Sequence, residues 1–374
     1  MKVIIIGNGV AGATVATKLA AQGVDVALFG EEPVGFYSRI LLPQALCDKE
    51  ALASLIAKSD PPYLLKRPAT AVDPKRKLVY SGSVTYPYDK LVIATGSRSR
   101  MLDIFSVTDG ACVLRTFDDA QRIGETIESP VVVLGGGLLG LETALWVSKK
   151  GYEVTVVEVA EHILAKQLDS EGAAIVKSQL ERQGLTVREG LKVQAQKLDP
   201  RGHLRALVTE GEEELACNTL LLSLGILPEI AIAKAAGLET ETGIIVDDYL
   251  TTSDPDIYAI GDCAEWHGKV PGLLAVALAM AECATQNILG NERVYQEPAL
   301  FTRFKGEGLD VVSVGTIEGR VHKRRRGERY EAYFVTDEKL TGAILVGSTE
   351  HSGFVRSHYQ KAVSEEEIAA LLTF

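Results

Sequence analysis

The sequence has few cysteines and no long hydrophobic run. Its 374 residues include five cysteines, none in a CxxC pair or at zinc-ligand spacing, so neither a metal site nor a disulfide framework is indicated. The apolar stretch from Leu273 to Ala281 is far shorter than the roughly 20 residues of a membrane-spanning helix. The opening MKVIIIGNG reads as a buried strand, not an export signal. We therefore expect a cytoplasmic protein without a membrane span.

Positive charge is also in short supply. The chain has 39 Lys and Arg against 50 Asp and Glu, a formal net charge of -11, which argues against a general nucleic-acid binder. One strong basic cluster, HKRRRGER, occupies residues 322–329. Hydrophobic residues make up 46% of the chain, and glycine occurs 35 times. Length and composition together predict two or three globular domains.

A strand, helix and strand pattern occurs twice. The first copy comprises residues 2–6, 13–22 and 24–29, and the second comprises 131–134, 138–149 and 152–157. Each copy predicts one βαβ unit. An apolar segment at 219–224 closes the second unit, and IYAIGD at 257–262 reads as a strand that returns to the first. The order predicts that the second domain is inserted in the first.

The chain changes character after Asn291. Short alternating segments such as DVVSVGTI, YEAYFV and LTGAILVG are followed by SEEEIAALL, which predicts a small α+β domain ending in a helix. The predicted fold class is α/β, with two Rossmann-like dinucleotide-binding domains and this C-terminal α+β domain. The predicted boundaries are 1–102 and 227–292 for the two parts of the first domain, 103–226 for the inserted domain, and 293–374 for the C-terminal domain.

The first unit carries a dinucleotide-binding fingerprint. Gly7, Gly9 and Gly12 follow the first strand and open the helix, and Glu31 and Glu32 come after the second strand. The first glycine permits a tight turn, the second lets a pyrophosphate approach the backbone, and the third lets helix and strand pack closely. The helix N-terminus attracts the phosphate charge, and a carboxylate accepts hydrogen bonds from ribose hydroxyls.

The second fingerprint is VVVLGGGLLGLE. Gly135, Gly137 and Gly140 take the same three roles, and Glu158 ends the following strand. A carboxylate binds a ribose 2'-hydroxyl but repels a 2'-phosphate, and no arginine follows in the next residues. The second site is therefore predicted to prefer NADH to NADPH.

Two further segments indicate that the other nucleotide is a flavin. YDKLVIATGS spans residues 88–97, and DIYAIGD spans 256–262 and ends in Gly261-Asp262. A strand-end Asp can bond a ribityl hydroxyl. The position of this pair after the inserted domain favours a flavin site over a simple turn.

The order GNGVAG, ATGS, GGGLLG, LSLGILP and YAIGDCAE resembles the flavoprotein reductases with two dinucleotide-binding domains, which are related to glutathione reductase. The resemblance covers nearly the whole chain. FYSRILLP, LRTFDDA, KQLD and VPGLL make it similar to the NADH:rubredoxin oxidoreductase branch and to the NADH-binding segment of assimilatory nitrite reductase.

The resemblance implies roles for individual residues. Glu31 would meet the adenosine ribose of FAD, Ala69 the adenine, and Asp262 the ribityl chain, with Leu274 near the flavin ring. Glu142 resembles a glutamate near the nicotinamide and is the predicted catalytic residue. Its other interpretation is an ordinary acid in the first turn of a helix. The predicted cofactor-binding residues are Gly7, Gly9, Val10, Ala11, Gly12, Glu31, Glu32, Arg39, Ala69, Ala94, Thr95, Gly96, Arg115, Gly261, Asp262, Leu274, Gly135, Gly137, Leu138, Leu139, Gly140, Glu158 and Gly225.

Two positions depart from the family pattern. Ile40 stands where disulfide reductases keep a redox cysteine, and Gln44 stands where the ferredoxin reductase branch often has a lysine. Cys47 lies seven residues beyond Ile40, about 10 Å along a continuous helix at ~1.5 Å per residue. Without a cysteine pair, the flavin itself must pass electrons to an acceptor, and a one-electron carrier such as rubredoxin is the leading hypothesis.

Three alternatives stay open. An NADH oxidase or CoA-disulfide reductase would need Cys47 near the flavin. The second alternative is the NADH-side subunit of a nitrite reductase or of another partner enzyme. The third is a flavin-based redox sensor. The basic cluster at 322–329 is either a solvated hairpin or a docking patch for a small acidic carrier.

Overall fold

The computed structural model describes residues 1–105, 110–270, 272–306 and 309–373. Pro271 of the VPGLL motif lies outside the described residues. The strands are β1 (Lys2–Ile6), β2 (Asp25–Gly30), β3 (Leu64–Lys66), β4 (Ala71–Asp73), β5 (Leu78–Ser81), β6 (Val84–Pro87), β7 (Lys90–Ile93), β8 (Ser97–Ser99), β9 (Ala111–Val113), β10 (Val131–Leu134), β11 (Val154–Val157), β12 (Thr186–Arg188), β13 (Val193–Leu198), β14 (Leu204–Thr209), β15 (Glu214–Ala216), β16 (Thr219–Leu222), β17 (Ile226–Pro228), β18 (Ile244–Val246), β19 (Ile257–Ala259), β20 (Ala264–Trp266), β21 (Thr302–Gly306), β22 (Leu309–Gly315), β23 (Arg320–Arg326), β24 (Arg329–Thr336) and β25 (Lys339–Val346). The helices are α1 (Val10–Ala21), α2 (Leu42–Ala45), α3 (Lys49–Ser54), α4 (Phe117–Thr126), α5 (Leu138–Lys149), α6 (Ser170–Arg182), α7 (Ala231–Ala235), α8 (Leu274–Ile288), α9 (Ser352–His358) and α10 (Glu365–Leu371).

The first of two compact units comprises residues 1–41, 52–100 and 225–298. Its parallel sheet has the strand order β19-β7-β1-β2-β3. The apolar run that predicted β1 is buried from Val3 to Ile6, as expected for a strand covered on both faces. Helix α1 begins at Val10, three residues before the predicted start at residue 13. The VYSGSVTY segment forms the antiparallel pair β5–β6.

The second unit comprises residues 42–51, 101–224 and 299–374. Its parallel sheet has the order β12-β11-β10-β16-β9. Val132, Val157 and Leu220 belong to a buried cluster on this sheet. The three-stranded antiparallel sheet β13-β14-β15 lies in the chain between β12 and β16. The chain therefore leaves the parallel sheet after β12, forms this antiparallel sheet, and returns to the parallel sheet with β16 about 30 residues later.

The C-terminal segment of the second unit has its own antiparallel sheet, in the order β21-β22-β25-β24-β23. The alternating segments after Asn291 supply these strands, and the final helix α10 starts with a capping box between Ser364 and Glu367. Helix α6 is tied to this sheet, because Tyr330 donates a hydrogen bond to Asp169, the N-cap of α6. The basic cluster forms the edge strand β23 and the turn after it.

The segment around Cys47 corrects one expectation. A 3-10 turn (Arg39–Leu41) and α2 are followed by Cys47 at φ +62°, and then by α3. Asp48 accepts a hydrogen bond from the amide of Ala51 at 3.0 Å and starts the new helix. The distance of about 10 Å along one continuous helix is therefore wrong, because a residue in the left-handed region breaks that helix.

None of the described helices has both the length and the apolarity that crossing a bilayer requires.

Candidate functional site

The first glycine loop joins β1 to α1. Gly7 has φ +116°, and its amide donates to the carbonyl of Phe29 at 2.8 Å. A Cβ atom on Gly7 would lie 2.1 Å from the carbonyl oxygen of Ala94, and one on Gly12 would lie 2.0 Å from that of Gly7. Real Cβ atoms do not approach so closely. Both positions therefore require glycine, as the fingerprint predicts, and Gly9 is the N-cap of α1.

A charged cluster stands over this loop. Glu32 accepts hydrogen bonds from the guanidinium of Arg39 and from the hydroxyl of Tyr37, each at 2.6 Å. The Arg39 Nη1 atom lies 3.3 Å from the position that a Cβ on Gly9 would take. The Arg39 Nε atom is buried and has no hydrogen-bond partner among the residues that the structure describes. Arg39 is thus held beside the loop with one buried donor available, whereas Glu31 is exposed.

The ATGS segment and the Gly-Asp pair meet in the same unit. Ser97 donates a hydrogen bond from its hydroxyl to Asp262 at 2.8 Å. Thr95 donates to the carbonyl of Glu229 at 2.6 Å, which ties the end of β7 to the chain after β17. Gly261 has φ +74° and lies two residues after the end of β19. Asp262 therefore lies at the carboxyl end of the sheet, where ligands of parallel α/β sheets bind, and Ser97 was absent from the predicted site residues.

The second loop repeats the geometry of the first. Gly135 has φ +120° and donates to the carbonyl of Val157 at 2.8 Å. A Cβ on Gly140 would lie 2.0 Å from the carbonyl oxygen of Gly135. At Gly137, the N-cap of α5, nothing in the described structure comes within 4 Å of the Cβ position. The loop is closed at its base and open where a pyrophosphate would approach.

Glu158, the acid of the second fingerprint, is hydrogen-bonded to the glycine loop of the same unit. Glu158 accepts hydrogen bonds from the amides of Gly136, at 2.7 Å, and Ala160, at 2.8 Å. A Cβ on Gly136 would lie 2.8 Å from Ile163 and 3.0 Å from the Glu158 Cβ. Gly136 was absent from the predicted site residues because the fingerprint leaves its middle position free. The GGG run in the sequence was the available signal.

Glu142 lies in the second turn of α5. That helix begins at Leu138 and has no acid in its first turn, so the interpretation of Glu142 as a first-turn acid is wrong. Burial raises the pKa of its carboxyl above the ordinary value of 4.5. Leu138 and Leu139 open the same helix, and Leu139 is exposed.

The remaining predicted residues fall in separate places. Arg115 precedes α4 and donates its amide to Asp119. Leu274 begins α8 and is exposed, Ala69 lies in the loop between β3 and β4, and Gly225 precedes β17 at φ +89°. Their roles toward a cofactor stay predictions.

Cys47 has an environment typical of a structural thiol. Burial raises the pKa of its side chain, against the lowering effects of Lys150 and of a hydrogen bond with Tyr152. A thiol with a raised pKa is a weak nucleophile at neutral pH. The surroundings of Cys47 do not resemble those of an activated redox cysteine.

Both loops fit a dinucleotide. Each joins a buried strand to a helix N-terminus, needs glycine where a side chain would strike the backbone, and offers amide donors at its open end. The buried Nε of Arg39 adds an unused donor at the first loop. FAD and NADH are dinucleotides that such loops can hold through their pyrophosphates.

Comparison with known proteins identifies relatives over most of the chain. The family model described as pyridine nucleotide-disulphide oxidoreductase matches residues 1–281. The assimilatory nitrate reductase electron transfer subunit of Bacillus subtilis is 31% identical over 93% of this chain and 48% of its own length. Rubredoxin-NAD(+) reductase of Ectopseudomonas oleovorans is 33% identical over 71% of this chain and 72% of its own. The crystal structure of a ferredoxin reductase from Rhodopseudomonas palustris matches with a TM-score of 0.89 and 27% identity, over 98% of this chain and 96% of that one.

The chain spans about half the length of the first two curated relatives that it matches, 48% and 45% respectively.

Proposed function

The chain belongs to the pyridine nucleotide-disulphide oxidoreductase family, and from that premise we propose that it is an FAD-containing NADH reductase that passes electrons to a small carrier protein such as rubredoxin. The observation that carries the proposal is the pair of glycine loops with matching backbone geometry, each closed by a carbonyl 2.0 Å from an added Cβ. Two such loops provide one chain with sites for two dinucleotides. The names of relatives, rubredoxin reductase and ferredoxin reductase, support the choice of acceptor.

The residues of the first unit would hold FAD. Amides at the start of α1 and the guanidinium of Arg39 would donate to the pyrophosphate, and Asp262, which Ser97 holds by a hydrogen bond, would accept from ribityl hydroxyls. FAD, when bound, supplies a centre that takes up a hydride and returns electrons to an acceptor. The task of the chain is to bind and align the two nucleotides.

The second unit would hold NADH. Glu158, at the end of β11, is fixed by two backbone amides. Its charge opposes a 2'-phosphate while its remaining lone pairs accept from ribose hydroxyls. Glu142, whose pKa is raised by burial, would stand near the nicotinamide.

The proposed arrangement is an NAD-binding domain of residues 103–226 inserted between FAD-binding segments 1–102 and 227–292, followed by the C-terminal domain. The strand orders support it, because each unit has a parallel sheet in which two neighbouring strands, β1 and β2 in one and β10 and β11 in the other, flank the glycine-loop helix in the chain. We propose that the partner is a small acidic carrier protein, and that the basic strand β23 is a candidate surface for its contact.

Anaerobic stopped-flow absorbance tests the function. The purified yellow protein is mixed with NADH, then with NADPH in a separate run, and oxidised rubredoxin is added last. We expect rapid bleaching by NADH, slow bleaching by NADPH and fast reoxidation by rubredoxin. Absence of flavin bleaching would overturn the reductase assignment.

Reoxidation separates the acceptor hypotheses. Bleaching without reoxidation by rubredoxin would discard the carrier. Reoxidation only by a co-purifying redox subunit would point to a nitrite reductase arrangement, and slow reoxidation by every acceptor would point to a sensor. The oxidase or disulfide reductase alternative requires activity to be lost in Cys47→Ser. The raised pKa of that thiol argues against such a loss.

A further inference from the structure

The Gly261-Asp262 turn of the first unit lies between helices α1 and α8. Gly261 is buried and has φ +74°, in the left-handed region that favours glycine. A Cβ on Gly261 would lie 3.3 Å from the Cβ of Ala11 in α1 and 3.9 Å from that of Ala277 in α8. The turn that carries Asp262 is therefore enclosed by the two helices, and α8 is close enough to influence its conformation.

The amide of Gly261 has a sulphur atom as its hydrogen-bond acceptor. The N–H donates to the Sδ atom of Met280 at 3.3 Å, and Met280 is fully buried in α8. Within the part of the chain that the structure describes, no oxygen atom accepts a hydrogen bond from this amide. A thioether is a weak acceptor, but a buried N–H without any partner carries the full cost of losing water. Met280 is therefore the residue that satisfies this buried donor.

The bond to sulphur acts at a flexible point of the turn. Before that point, the amide of Ile260 donates to the carbonyl of Ile93 at 3.0 Å, which fixes the chain as it leaves β19. After it, Ser97 donates to the carboxylate of Asp262 at 2.8 Å. Gly261 stands between these two anchors and, without a Cβ, has the widest choice of φ and ψ. Because a peptide unit is planar, holding the N–H of Gly261 fixes the plane from which Asp262 follows.

We infer that Met280 is a positioning residue for the flavin site, because its thioether holds the Gly261-Asp262 turn in the conformation that presents the Asp262 carboxylate to FAD. The identity of the ligand rests on the proposed function, whereas the contact between sulphur and amide does not. Without the thioether, the turn of the apoprotein is free to rotate its amide toward water, and FAD binding must reverse that rotation. The loss therefore falls mainly on FAD affinity and less on the stability of the apoprotein.

Two substitutions of Met280, with a matched control in the same helix, test the inference. Met280→Leu keeps the side chain apolar and of similar volume but removes the acceptor. Met280→Gln supplies a carboxamide oxygen on a chain of similar length. The control is Ile288→Leu, because Ile288 is buried in α8 about two turns after Met280 and has no acceptor to lose. FAD affinity is measured by the fluorescence of free flavin, and the Tm of each apoprotein by circular dichroism.

Affinity and stability should respond differently. We expect Met280→Leu to raise the Kd for FAD at least about fivefold, the lower limit for a buried donor left without a partner. The Tm of its apoprotein should change no more than that of Ile288→Leu, which should keep native affinity. Met280→Gln should bring Kd back to within about threefold of the native value, because the amide regains an acceptor. Native affinity in Met280→Leu, an equal loss in Ile288→Leu, or no recovery in Met280→Gln would overturn the inference.

Hydrogen exchange separates this inference from the proposed function. Exchange in the peptide spanning residues 257–263 is followed by mass spectrometry in each apoprotein, with no nucleotide added. It should be faster in Met280→Leu than in the native chain and in Ile288→Leu, because the amide of Gly261 has lost its acceptor. Equal exchange in all three would overturn the inference. If the native apoprotein takes up no FAD, the proposed function fails, and the exchange rates still decide whether Met280 holds the turn.

Discussion

Replacing Gly137 by Ala should separate nucleotide binding from protein stability. Gly137 is the N-cap of α5 at φ -80° and ψ 179°, a conformation open to any residue, and nothing lies within 4 Å of its Cβ position. An Ala N-cap is somewhat less favourable than Gly. The lower entropy of the unfolded chain offsets this by about 0.4–1 kcal/mol. The net change in the free energy of unfolding should therefore stay within about 0.5 kcal/mol.

The effect on binding should be much larger. A methyl group at the open end of the loop holds the pyrophosphate away and removes at least one hydrogen bond to a charged oxygen, worth about 1.5–3 kcal/mol. That loss corresponds to a rise of about 10- to 100-fold in Kd. Calorimetric titration with NAD+, which does not reduce the flavin, measures this Kd directly.

Two comparison variants sharpen the result. Gly353→Ala also places a methyl group in open space, in α9, and should leave NAD+ affinity unchanged. Gly140→Ala drives a Cβ to 2.0 Å from the carbonyl oxygen of Gly135, and should lose both affinity and about 1–3 kcal/mol of stability. Equal NAD+ affinity in Gly137→Ala and Gly353→Ala would refute the assignment of this loop to the dinucleotide.

Three further outcomes follow from the structure. Burial raises the pKa of Glu142, so the neutral carboxyl favours the folded state; this stability is present at acid pH and is lost as pH rises through the folded pKa. Glu142→Gln should therefore raise the Tm at pH 8 more than at pH 4.5. An equal change in Tm at both pH values would contradict the argument. Tyr330→Phe removes a part-buried hydrogen bond to Asp169 and should lower the free energy of unfolding by about 1.5–3 kcal/mol in urea titrations. Asp169→Ala should lose at least as much, because Asp169 also caps α6. Replacing both Arg325 and Arg326 by Ser on the exposed edge strand β23 should slow rubredoxin reduction at low salt and flatten the salt dependence of its rate. Ferricyanide reduction, which serves as the control, should be unchanged. An unaltered rate and salt dependence would show that the basic strand is only a solvated edge.

The sequence alone predicted the family and much of the local structure, because both depend on short-range patterns. The apolar run of residues 2–6 and the glycines after it specify a buried strand and a tight turn, and the strand was found at the predicted residues. The segments 131–134 and 138–149 were likewise found at their predicted bounds. Glycine spacing indicates which positions cannot bear a side chain, since the clash is with backbone atoms a few residues away.

Tertiary structure decided what depends on packing between distant segments. No spacing rule indicates that Gly136 must be glycine because Glu158 and Ile163 fold over it. The meeting of Ser97 with Asp262 joins residues 165 positions apart. The bend at Cys47, which sequence reasoning replaced with a straight helix, arises because a left-handed residue is followed by a new helix start. Local patterns fix the backbone of each loop, and only the folded chain shows which side chain occupies the space beside it.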